Sequence, residues 1–110
     1  MRRAAVAGAL AAAVGVATVI VAGWRGADLP AQIFRVELFR ASGFAIWNNQ
    51  WFGGHHTPGY SVLFPPLGAA LGPLGVGGAS TVVAAAALGD LLERVAPRSA
   101  PAGAVAFALV

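Results

Sequence analysis

The chain alternates between long uncharged stretches and short charged ones. Residues 4–24, AAVAGALAAAVGVATVIVAGW, contain no charged side chain. At helical rise they reach about 31 Å, enough to cross the hydrocarbon of a bilayer. Each of the larger aliphatics between Val6 and Val21 favours insertion by roughly 0.3–0.6 kcal/mol at a helix centre, so the total is favourable but small. Small residues return at Ala4, Gly8, Ala12 and Gly15. That spacing lets a second helix approach closely, although an alanine-rich composition also produces it by chance.

Residues 25–66 follow as a long loop. Asp28-Leu29-Pro30 has the form of a helix start, with Asp as cap and Pro in the first turn. It predicts a helix over about 29–41, ending near Gly43. Asp28, Gln32, Arg35 and Ser42 fall on one side of that helix, and Glu37 and Arg40 roughly opposite, so it lies at a surface and does not span. From Ala41 to Gly89 there is again no charge. Pro65-Pro66 ends the loop. Gly72-Pro73 and Gly77-Gly78 break the apolar stretch into a short interfacial helix (about 67–71) and a second span (about 74–92). Asp90 and Arg94 stand four apart, where they pair on a helix. A third apolar segment fills 101–110, too short to cross. The expected fold class is therefore all-α membrane, with transmembrane helices joined by a long extracytoplasmic loop that carries a short surface helix. The unfinished third segment suggests the N-terminal part of a longer multi-pass protein or a truncated product, with membrane lipid and the remaining transmembrane helices as its partners.

Composition agrees with this pattern. The chain has 110 residues, 58% of them hydrophobic and 10% charged, against about 25% charged in soluble domains. The net charge of +3 comes from seven arginines and no lysine. Only Arg2 and Arg3 are adjacent, so there is no basic patch of the kind that binds nucleic acid. The absence of cysteine excludes disulfides and thiolate sites, and the absence of lysine excludes Schiff-base chemistry and a P-loop. Arg2 and Arg3 ahead of the first span place the N-terminus in the cytoplasm and residues 25–66 outside the cell membrane. The alternative is a signal peptide cleaved near Ala22-Gly23.

The segment WNNQWFGGHHTPGYS, 47–61, is aromatic, amide-rich and uncharged. Amides exchange hydrogen bonds with hydroxyls, and aromatic faces stack on sugar rings. Asn48, Asn49, Trp51, His55, His56 and Tyr60 are thus candidates for a carbohydrate or polar head-group site, and Trp47 and Trp51 equally suit a membrane-interface belt. Adjacent histidines point to opposite sides of an extended chain, so His55 and His56 are a poor pair for one metal. No cofactor is called for, and a divalent metal stays open. Asp28 is either a helix cap or a general base. Arg35 and Arg40 either hold a phosphate or pair with Asp28 and Glu37.

The order of these pieces is distinctive: a first span, D28-L-P-A-Q32, E37-L-F-R40, G43-F-A-I-W47-N-N-Q-W51-F-G-G54, P58-G-Y-S61 and F64-P-P-L67. It resembles the N-terminal region of multi-pass bacterial membrane proteins of GT-C glycosyltransferase-like architecture, in particular the pyruvoyl-tetrahydropterin-synthase-related integral membrane proteins. The resemblance covers about residues 2–92. It implies sugar transfer from a polyprenyl-phosphate-linked donor at the outer face, with an acidic residue of the first external loop as catalytic base, here Asp28. Related chains carry a histidine four residues later, where this sequence has Gln32. The alternative is a non-catalytic multi-pass protein, either a transporter segment or an assembly partner.

Overall fold

The computed structural model describes residues 3–50, 52–55, 57–59 and 61–110. Five α-helices account for most of it: α1 (Arg3–Val21), α2 (Leu29–Ser42), α3 (Phe64–Leu71), α4 (Pro73–Val95) and α5 (Ala100–Ala108). Between α2 and α3 lie two-residue strands, β1 (Trp47–Asn48) and β2 (Thr57–Pro58). The chain divides into two units, one made of Gly26–Val76 and the other of the residues up to Arg25 with Gly77–Val110.

In the second of these, α1, α4 and α5 meet through small residues. The buried positions of α1 are Ala4, Ala5, Gly8 and Ala12, so the expected small-residue face is the packing face. A β-carbon on Gly8 would lie 2.8 Å from the Ala85 carbonyl oxygen and 3.1 Å from Cβ of Ala104. One on Gly89 would lie 2.5 Å from the Ala4 carbonyl oxygen, and one on Gly78 2.8 Å from Cγ1 of Val16. The order of these approaches makes α1 and α4 antiparallel. Ala4, Ala100 and Ala104 form a buried cluster against which Leu92 packs. The Ala4 N–H donates to Glu93 Oε1 at 2.6 Å. A carboxylate from α4 thereby satisfies one of the orphan donors at the start of α1, where the helix dipole favours negative charge. Asp90 and Arg94 pair at 2.8 Å, as their spacing requires.

Apart from Leu92 and Val16, which pack between them, several large apolar side chains of these helices face outward. Leu10 is 63% exposed, Val14 66% and Val83 67%, while Ala4, Ala85, Ala100 and Ala104 are fully buried. A water-soluble bundle would bury its large residues. Small residues between helices and large ones outside is the arrangement that suits a lipid surround or further helices. Arg3–Val21 and Pro73–Val95 are both long and apolar enough to cross a membrane.

Three helix boundaries differ from the sequence reading. The first helix stops at Val21 and not Trp24, because Gly23 takes φ +69°. Its N–H bonds the Ile20 carbonyl and the Trp24 N–H bonds that of Val19, which is a Schellman ending. The third helix starts at Phe64 and takes Pro65-Pro66 into its first turn. Proline suits that turn, since its missing N–H would have had no intrahelical partner, and Ser61 Oγ accepts the Phe64 N–H at 3.1 Å. The apolar stretch breaks at Gly72, φ +77°, but Gly77-Gly78 stay helical inside α4. There Gly78 provides the close approach to Val16, so its lack of a side chain serves packing and not a turn.

Candidate functional site

Gly26–Val76 is built on α2 and α3. Val36 is the largest fully buried side chain of the described residues, and it sits against Gly68, where a β-carbon would come within 2.5 Å of its Cγ2. Arg40 joins the two helices. Its Nη1 donates to Glu37 Oε1 at 2.6 Å and its Nη2 to the Ala69 carbonyl at 3.1 Å. Arg40 thus pairs with Glu37, one of the two alternatives that the sequence leaves for it.

After α2 the chain turns at Gly43, φ +68°, and Phe44 folds back edge-on to Phe39 with ring centroids 5.1 Å apart. It then forms the hairpin. Trp47 pairs with Pro58 and Asn48 with Thr57 in antiparallel register, and Gly53 and Gly54, both at positive φ, occupy the turn between them. Pro58 has no N–H to give, and the ladder is continued by the Gly59 N–H, which donates to the Ile46 carbonyl at 2.6 Å. Strand alternation sends adjacent side chains to opposite faces. Accordingly Trp47 is exposed and Asn48 is half-buried.

These elements enclose a cavity of about 800 Å³, within the range of small-molecule sites. One wall is a face of α2 made by Ala31, Phe34, Arg35 and Leu38; another is the turn from Phe44 to Asn48; the returning strand closes it with Pro58, Gly59, Ser61 and Val62. Asp28 stands on its rim as an exposed residue. The lining is mainly apolar, with Asp28, Arg35, Asn48 and Ser61 as its polar members.

Asp28 occupies the N-cap position of α2 but makes no capping hydrogen bond, contrary to the cap reading. The local chemistry explains this. A capping side chain bonds the N–H of the second or third helical residue from an extended backbone. Here the second is Pro30, which has no N–H, and Asp28 itself has helical dihedrals of −84° and −6°, set by the turn in which the Leu29 N–H bonds the Gly26 carbonyl. The carboxylate is left at the cavity rim. Asn48 Oδ1 is buried and has no hydrogen-bond partner among the described residues.

Of the residues singled out from sequence, Asp28, Arg35 and Asn48 line one cavity. Asn49 and His55 are exposed and do not line it. Trp51, His56 and Tyr60 lie outside the described residues. The apolar wall of α2 was missed. Its signal was present as Ala31, Phe34 and Leu38 at intervals of three and four, a helical stripe overlooked beside the polar positions of the same helix. No family model, curated protein or solved structure matches the chain.

Proposed function

We propose that this chain is the N-terminal part of a multi-pass GT-C-like glycosyltransferase of the cell membrane, acting at the outer face on a polyprenyl-phosphate-linked sugar, with Asp28 as general base. The observation that carries the reading is the position of Asp28. Its carboxylate is not used as a helix cap, and it stands at the rim of an apolar cavity that also holds an amide. A base must reach the hydroxyl it deprotonates, and an acceptor entering that cavity would bring its hydroxyl past Asp28. The segment bearing the cavity lies in sequence between two helices long and apolar enough to span, as expected for an external loop of a membrane enzyme.

The test is transfer of labelled sugar from a lipid-linked donor by the full-length protein in membrane vesicles. Asp28→Asn keeps size and hydrogen-bonding shape and removes the base, so transfer should fall by about 10²-fold or more. Undiminished transfer would remove Asp28 from the mechanism. The absence of transfer in wild type would favour a non-catalytic transporter segment or assembly partner.

A further inference from the structure

We infer that α3 and the chain on either side of the hairpin are seated at the head-group boundary of the leaflet that α4 enters, through an apolar surface made by Phe44, Ile46, Val62, Leu63, Leu67 and Leu71. The inference rests on the membrane reading of α4 and is independent of sugar transfer.

Leu63, Leu67 and Leu71 recur every four residues, which keeps them on one side of a helix. Leu63 has helical dihedrals of −87° and −34° just ahead of α3, so the stripe runs the length of that helix. The three are 73%, 46% and 63% exposed. Gly68, buried against Val36, stands about 100° round from Leu67, so α3 packs on α2 through a different face. Phe44, Ile46 and Val62 share the cavity lining, are each at least 65% exposed and extend the surface from Leu63. An exposed apolar surface of this kind marks a contact with a protein or a membrane. The charge pattern decides for the membrane. The charged residues of 26–76, Asp28, Arg35, Glu37 and Arg40, all precede Ala41, whereas protein interfaces carry a polar rim and draw on arginine.

Reach fixes where the surface lies. Gly72 is the single residue between α3 and α4, so the Cα atoms of Leu71 and Pro73 are at most about 7 Å apart. The uncharged part of α4, Pro73 to Gly89, covers about 25 Å at helical rise, less than the roughly 30 Å of the hydrocarbon core. With the Asp90–Arg94 pair held at one boundary, Pro73 cannot stand clear of the other. The mismatch draws α3 down to that boundary with its leucines in lipid.

The test uses the full-length protein with one introduced cysteine and no other, spin-labelled and reconstituted in vesicles of phosphatidylcholine and phosphatidylglycerol. Electron paramagnetic resonance reads collisions of the label with oxygen, which dissolves in lipid, and with a water-soluble nickel chelate. At Leu67→Cys and Leu71→Cys, nickel collisions should fall about tenfold or more below those at Ile33→Cys, since a polar solute is kept out of an apolar phase, while oxygen collisions persist. Ile33 is exposed on the α2 face that bears Glu37 and Arg40, so it reports on water. Nickel collisions at 67 and 71 equal to those at 33 would overturn the inference. So would loss of both collision partners, which means cover by protein. Val83→Cys, exposed within α4, separates the seating from the span. Lipid at 83 with water at 67 and 71 refutes the seating and leaves the span, whereas water at 83 refutes both.

Discussion

The carboxylate that satisfies a helix start is Glu93 and not Asp28. Asp28 sits where a cap belongs and makes no capping bond, while Glu93, eighty-nine residues along the chain from Ala4, accepts that residue's N–H at the start of α1. Two outcomes follow for unfolding in detergent. Asp28→Ala should change stability by less than about 0.5 kcal/mol, where loss of a working cap costs about 1 kcal/mol. Glu93→Ala should cost about 1–2 kcal/mol, because it removes a charge-assisted hydrogen bond and leaves a helix N–H unpaired, and Glu93→Gln should recover part of that. The Asp28 result was not legible in sequence. Cap propensity reads the residue type, and here the missing N–H of Pro30 and the backbone turn at Gly26 override it. Glu93 could not be read either, since a contact across so much chain leaves no local signal. Asn48 was legible as chemistry, an amide in an aromatic loop, but its selection over Asn49 depends on hairpin register.

At the scale of elements, glycine does different work at neighbouring positions. Gly78 and Gly89 face another helix at distances that leave no room for a methyl group, whereas Gly77 has nothing near it. Gly89→Ala should therefore destabilise the α1–α4 pair by about 1–3 kcal/mol, the usual cost of overpacking. Gly77→Ala should be neutral or stabilise by about 0.5–1 kcal/mol through helix propensity. Thermal unfolding of the two variants side by side checks this, and equal effects would contradict the packing of α4 on α1. The same contrast shows why Gly77-Gly78 reads falsely as a break: sequence gives the flexibility of glycine but not the neighbour that needs it absent of side chain. The helices themselves were legible from uncharged length, and so was the break at Gly72, where glycine and proline act together. In sequence the hairpin shows only the turn formers Gly53-Gly54 and Pro58-Gly59, because Pro58 argues against a strand and the pairing is continued by the Gly59 N–H.

At the scale of the molecule, the distribution of residue size is the strongest argument for a membrane. Alanine and glycine lie between α1, α4 and α5, and Leu10, Val14, Val83 and Leu91 face out. It also bears on the signal-peptide alternative. The α1 face that a cleavage near Gly23 would remove is the face on which α4 and α5 pack, so the mature protein should retain α1, and N-terminal sequencing that starts near Gly23 would contradict an integral α1. The proposed function requires segment 26–76 to lie outside the cell and the turn between α4 and α5 inside. These 110 residues hold no cysteine, so a single one introduced in this stretch reports on its own position. In intact cells, a membrane-impermeant maleimide should label Asn49→Cys directly and Ser99→Cys only after permeabilisation. Direct labelling of position 99 with protection of position 49 would invert the topology and remove the external site.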